Sequence, residues 1–202
     1  MAEADGSGGG RTQAGVRRRA AIVRAAATVL QREGYARLTA RKVAAEAGMS
    51  LGHISYNFSG MDEVLCEACR LASGRLRAAT ERQVAAAGAP PLARLEGFLR
   101  AGFTEEILDP HHLRLRIDLW SAALANPELA ATELDLYSHY RADLAGLLHE
   151  VLGPAGTARL PALCDVIMAT LDGLWLDWMR RRDPVAVDHA IAALLALVRG
   201  AV

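Results

Sequence analysis

The sequence predicts an all-α fold of about nine helices, with a short three-helix module leading a larger helical domain. Three observations carry this. Apolar residues recur at helical spacing along almost the whole chain, no stretch alternates as a half-buried strand does, and the periodic runs close on Gly, Asn-Pro, Asp-Pro or Gly-Pro. The 202 residues suffice for a small module plus a sizeable core, and the 52% hydrophobic share, mostly Ala, Leu and Val, suits helices with broad apolar faces.

Residues 1–16 are Gly-rich and aperiodic and read as a disordered arm. Arg11 and Arg17 to Arg19 leave two readings for it, a solvated tail or a sliding contact on phosphates. The first helix is expected from about Arg17 to Glu33, with Ile22, Ala26, Val29 and Leu30 as its inner stripe and Gly34 as its stop. Thr39 is placed to cap a second helix, about Ala40 to Ala47, with Val43 and Ala44 inward and Gly48 ending it. Ser50 is placed to cap a third, about Leu51 to Phe58. Its Ile54 and Phe58 lie four apart and point inward, while Gly52 and Tyr56, flanked by His53 and Ser55, point away. Ser59 precedes a long fourth helix, about Gly60 to Ala87, with Asp62 as its capping-box partner and Glu63 beside it.

Gly88–Pro91 marks the break between the two parts of the chain. Five further helices follow: about Pro91 to Leu108, Pro110 to Ala125, Pro127 to Leu152, Ala158 to Arg182, and a last one after Asp183-Pro184. The expected organisation is an arm over 1–16, a helix-turn-helix over 17–63 and a helical domain over 64–202.

Composition narrows the function. The formal net charge is zero, yet residues 1–80 carry 12 Lys and Arg against 7 Asp and Glu, so the remainder is acidic by the same margin. A basic N-terminal part on an acidic body is the layout of a nucleic-acid reader on a body that does not read. Three cysteines, Cys66, Cys69 and Cys164, argue against a disulfide framework and for a reducing compartment. The N-terminus has no apolar signal core, and charges interrupt each apolar run before it reaches spanning length. The chain therefore reads as cytoplasmic, without a membrane partner. No nucleophile–base pair, phosphate loop or zinc spacing points to an enzyme, and neither a cofactor nor a metal is expected. Cys66 and Cys69, three apart on one helix face, read as small buried residues before they read as a redox pair.

Two short helices joined by a Gly-containing turn, behind a longer helix, make a helix-turn-helix. The second short helix must enter the major groove, and Leu51–Phe58 suits this: Gly52 permits close backbone approach and no acidic residue is present. The stretch GYARLTARKVAAEAGMSLGHISYNFSGMDEVL resembles the TetR-family signature, strongly over about residues 17–70, and its GHISYNF is similar to the branch containing betaine-type repressors. LWSAALANPELA and LDGLWLDWM resemble the C-terminal domain of that branch.

The resemblance implies a DNA-binding surface of Thr39, Arg41, Ser50, Leu51, Gly52, His53, Ser55, Tyr56 and Asn57. Base contacts are expected from Arg41, Gly52 and His53, and phosphate contacts from Thr39, Ser50, Ser55, Tyr56 and Asn57. Met61 stands where members usually carry a phosphate-touching Lys, which implies a weaker salt dependence. The resemblance also implies an effector pocket within helices four to eight. Asp118, Trp120, Tyr137, Tyr140, Asp172 and Trp175 are its candidate lining, since aromatic faces with a carboxylate suit a cation. Core or interface packing is the other reading of the tryptophans. Dimerisation through the last two helices is implied, with Leu163, Ile167, Leu171, Leu174, Trp178, Ile191, Leu194, Leu195 and Val198 as the expected interface. The function so implied is a homodimeric repressor released from double-stranded operator DNA by an unidentified small molecule. The alternative is a DNA-binding regulator whose second domain docks a protein partner.

Overall fold

The computed structural model describes residues 8–200, and no strand occurs among them. Nine α-helices follow in chain order: α1 Gly8–Glu33, α2 Ala40–Glu46, α3 Leu51–Asn57, α4 Met61–Ala86, α5 Pro91–Ala101, α6 Pro110–Ala123, α7 Pro127–Leu152, α8 Leu160–Arg181 and α9 Pro184–Arg199, with 3-10 turns at Tyr35–Arg37 and Pro154–Arg159. Of the expected arm, residues 1–7 lie outside the described residues. Residues 8–16 continue α1 instead of preceding it, because once a helix is nucleated each added residue gains one backbone hydrogen bond.

Helix α5 ends two turns before the expected Leu108, and the other boundaries fall close to expectation. Helix α5 stops at Ala101 because the Gly102 carbonyl is taken by the Trp175 indole N–H at 2.9 Å, and a Cβ at Gly102 would meet that indole at 3.2 Å. Asp109 starts α6 by accepting the His111 and His112 N–H groups, both at 3.0 Å. Asp183 starts α9 by accepting from Val185 and Ala186.

The chain forms two compact units. One comprises the described part of Met1–Ala72 together with Arg114–Glu133, and the other Ser73–Leu113 together with Leu134–Val202. These units divide α4, α6 and α7, with residues 114–133 in the same unit as the helix-turn-helix. Polar contacts bind that return segment: Asn126 donates to Asp62 at 2.7 Å, Arg70 reaches Thr132, and the Cys69 thiol donates to Glu133 at 2.9 Å. Glu133 also pairs with Arg116 at 3.4 Å, both nearly buried, and the Arg116 guanidinium stands 5.4 Å from the Trp120 ring centre. Burial, then the Glu133 carboxylate, push the Cys69 thiol up to about 12.

In the second unit one apolar core joins α5, α7, α8 and α9. Leu95, Phe98 and Leu99 meet Leu144 and Leu148, Ile167 and Met168, and Ile191 and Val198. This core contains the residues expected at a subunit interface. Leu163, Ile167, Leu174, Ile191, Leu194, Leu195 and Val198 are buried within the chain itself, and Leu171 and Trp178 pack against them. Those residues of the last two helices are thus taken up by the chain's own core.

Candidate nucleic-acid interface

Helix α2 begins where Thr39, in extended backbone, accepts the Lys42 N–H at 3.3 Å through its hydroxyl. It ends in a Schellman turn: Gly48 at φ +65° donates to Ala45, and Met49 donates to Ala44. That left-handed turn throws the chain into α3. There Ile54 and Phe58 are buried as expected, while Leu51, Gly52, His53 and Ser55 are exposed and Tyr56 is 85% exposed.

Arg19 of α1 locks this arrangement. Its guanidinium lies 4.2 Å over the Phe58 ring, donates to the Asn57 carbonyl and pairs with Glu63 at 2.7 Å. Arg19 is therefore tied to α3 and α4 within the unit. The Ser59 backbone N–H and the Arg19 guanidinium hold the Glu63 carboxyl below the usual carboxylate range. Glu63, not Asp62, takes the reciprocal cap at the α4 start, receiving the Ser59 N–H at 2.8 Å and its hydroxyl at 3.0 Å. Asp62 is occupied by Asn126.

The other cations of the unit sort in the same way. Lys42 pairs with Glu33 at 2.5 Å and Arg32 with Glu46 at 2.9 Å, so both are spent inside the fold. Lys42 and Arg32 hold Glu33 below its ordinary carboxylate range. Arg17, Arg18, Arg24, Arg37 and Arg41 are exposed and form no ion pair among the described residues. Arg41 thus stands at the start of α2 with its charge uncompensated.

Two expected contacts on α3 are differently engaged. Ser50 makes no hydrogen bond to the α3 backbone through its side chain; its hydroxyl lies 2.8 Å from His53 Nδ1. The Asn57 amide is half-buried and donates to the His53 carbonyl at 2.8 Å. The role of the Gly34–Tyr35 turn also went unread. Gly34 sits at φ +83° and ψ 168°, and the Tyr35 N–H that follows donates to Asp118 of α6 at 3.2 Å. A Cβ on Gly34 would meet Asp118 Oδ2 at 3.2 Å and Arg114 Nη2 at 3.3 Å. No sequence signal pairs Gly34 with Asp118, because they belong to segments far apart in the chain.

The six residues expected around an effector divide between the two units. Asp118 and Trp120 belong to the first unit, where Asp118 fastens the Tyr35 turn and Trp120 faces Arg116. The other four belong to the second. Trp175 is buried with its indole N–H on the Gly102 carbonyl, and Tyr140 stacks on Phe98 at 4.5 Å between ring centres. Burial pushes the Tyr140 phenol up, and burial with the neighbouring Asp172 carboxylate does the same to Tyr137, which lies at the surface. The second unit does hold a cleft of about 300 Å³. It lies elsewhere, lined by Gln83, Arg100, Phe103, Leu108, Trp178, Val187 and Asp188. Arg100 is clamped there between Asp188 at 2.7 Å and Glu96 at 2.8 Å.

The sequence profile of the BetI-type transcriptional repressor C-terminal domain matches residues 91–202, and that of bacterial regulatory proteins of the tetR family matches residues 22–68. The HTH-type transcriptional regulator BetI of Paraburkholderia phymatum is 30% identical over 178 residues, which is 86% of this chain and 87% of that protein. Among solved structures, a transcriptional regulator of Pseudomonas aeruginosa PAO1 matches with a TM-score of 0.80 at 28% identity, over 92% of this chain and 90% of that one. The multidrug binding protein EbrR in complex with ethidium matches with a TM-score of 0.68 at 27% identity, over 89% of this chain and 98% of that one.

Proposed function

The chain belongs to the TetR family of bacterial regulatory proteins, in its BetI-type branch, and from that premise we propose that it is a homodimeric repressor released from its operator by a small molecule. The observation that carries the DNA half is the outward face of α3. That face is free of acidic residues, presents His53, Ser55 and Tyr56, and stands with the uncompensated Arg41 on a scaffold locked by Arg19. Arg41 and His53 take base edges, Gly52 lets the backbone close on the groove, and Tyr56, Ser55 and Thr39 take phosphates. Leu51, half-exposed, supplies apolar contact.

Two such helices reach successive major grooves only in a dimer, with half-sites ~34–36 Å apart. The surface for it is the outward stripe of α8 and α9. Ala162, Val166, Ala169, Gly173 and Leu176 follow one another at heptad spacing on α8, and Ala186, Ala190, Ala193 and Leu197 do so on α9. These residues replace the expected interface set, which the monomer core consumes.

The effector site we assign is the α5–α8–α9 cleft. Its volume suits a small molecule. Phe103 and Trp178 supply aromatic faces with the Asp188 carboxylate beside them, which suits an organic cation such as the ethidium bound by EbrR. An open cleft also speaks for a small molecule over a docked protein. Helices α4, α6 and α7 each contribute to both units, so a shift of one helix on ligand binding is carried by the chain into the DNA-reading unit. Ligand and operator then compete by linkage, each favouring its own form.

The test is fluorescence anisotropy on the promoter region beside this protein's own gene, at two salt concentrations, with Tyr56→Ala alongside. Tight binding that salt and Tyr56→Ala both weaken is expected, with a shallower salt slope than in relatives that keep the Lys at the Met61 position. Absence of specific binding there and in selection from random DNA refutes the reading.

A further inference from the structure

Ser50 and His53 both lie exposed at the start of α3, and the serine hydroxyl stands 2.8 Å from the imidazole Nδ1. That contact occupies one of the two ring nitrogens and leaves Nε2 as the one available to a ligand. Resting on the operator-binding reading above, we propose that Ser50 is a positioning residue. It holds His53 with Nε2–H presented outward, so that His53 reads a guanine in the major groove.

The groups around the contact leave the hydroxyl able to donate. The Ser50 side chain makes no cap to the α3 backbone, since the His53 N–H goes to the Ser50 carbonyl at 3.0 Å. The hydroxyl hydrogen is therefore available for Nδ1, and a neutral ring that accepts at Nδ1 carries its proton on Nε2. In that tautomer Nε2 is a donor. The backbone under the ring is fixed too: the Asn57 amide donates to the His53 carbonyl at 2.8 Å, and Arg19 donates to the carbonyl of Asn57.

A lone outward N–H donor discriminates among bases. Guanine offers two adjacent acceptors, N7 and O6, and no donor on its major-groove edge. Adenine sets a donor beside its single N7, thymine sets its methyl group beside its single O4, and cytosine presents only its amino group. One donor gives the low end of base discrimination, a preference of roughly tenfold at one position of each half-site.

Two measurements test this. In the free protein, long-range proton–nitrogen NMR of the histidine rings well above the ordinary imidazole range should find His53 as the Nε2–H tautomer, lost to a mixture in Ser50→Ala and kept in Ser50→Thr. An Nδ1–H ring in the native protein overturns the proposal. In selection from randomised DNA, the native chain should favour guanine at one position per half-site. His53→Ala should lose that preference with the flanking pattern intact, Ser50→Ala should broaden it, and Ser50→Thr should keep it. Unchanged guanine preference in His53→Ala refutes the base assignment, and unchanged preference in Ser50→Ala refutes the role of Ser50. If the native chain selects no DNA at all, the operator reading fails first and this inference falls with it.

Discussion

Gly34→Ala isolates the turn that joins the helix-turn-helix to α6. At φ +83° and ψ 168° the backbone lies in a region only glycine occupies without strain, which costs a non-glycine residue about 1–3 kcal/mol. The added methyl also meets Asp118 Oδ2 at 3.2 Å and Arg114 Nη2 at 3.3 Å, so the carboxylate must retreat by a few tenths of an ångström. It then loosens its hold on the Tyr35 N–H, now at 3.2 Å, a solvent-reached bond worth about 1 kcal/mol. The expected total is about 2–4 kcal/mol. The assay is urea unfolding, read as a lower midpoint with unchanged slope. A double-mutant cycle with Asp118→Ala separates the parts: in that background the cost of Gly34→Ala falls to the backbone strain alone. A loss under about 0.5 kcal/mol in Gly34→Ala, the range of an ordinary surface change, refutes the reasoning.

Three further outcomes are expected. Glu133→Gln removes the carboxylate paired with the nearly buried Arg116 and should cost about 3–5 kcal/mol, whereas Arg116→Met with Glu133→Leu should recover most of it in the same unfolding assay. Gly173→Arg adds a side chain where nothing stands within 4 Å, so it should keep the monomer's stability, yet light scattering should find monomers that bind operator poorly; a tight dimer rejects the α8–α9 stripe. Because the Cys69 thiol is pushed up to about 12 in the fold, the native state keeps a proton that the unfolded chain loses above about pH 8.5. Stability from this group is complete below that pH and falls as pH rises toward the folded value. Cys69→Ala should accordingly show a shallower loss of urea midpoint between pH 7.5 and 10 than the native chain.

The helix-turn-helix was legible because its determinants are local. Thr39, Gly48, and the Ile54–Phe58 pair each act within a turn or two of their own position, and each stands as expected. The expected Ser50 cap fails and the Asn57 bond to the His53 carbonyl had no sequence signal, since a hydroxyl or amide chooses among several partners within reach. Trp175 and Tyr140 show the limit for the second unit. Their residue type suits a ligand site or a core equally, and only the Gly102 carbonyl and the Phe98 ring beside them decide for the core.

The apolar periodicity by itself determined the helices, their order and the inward stripes of α1 to α3. The resemblance in residues 17–70 determined the family. Only the tertiary structure decided which neighbour each stripe meets. Leu163, Ile167, Ile191 and Val198 form an apolar face that could lie against the chain's own α5 and α7 or against a second subunit, and the burial free energy is the same either way. Likewise only the fold could bring Asp118 to the Tyr35 turn, 83 residues away, and Glu133 to Cys69, 64 residues away. Periodicity is set by bonds between near neighbours, whereas these contacts form only when segments distant in sequence close on each other.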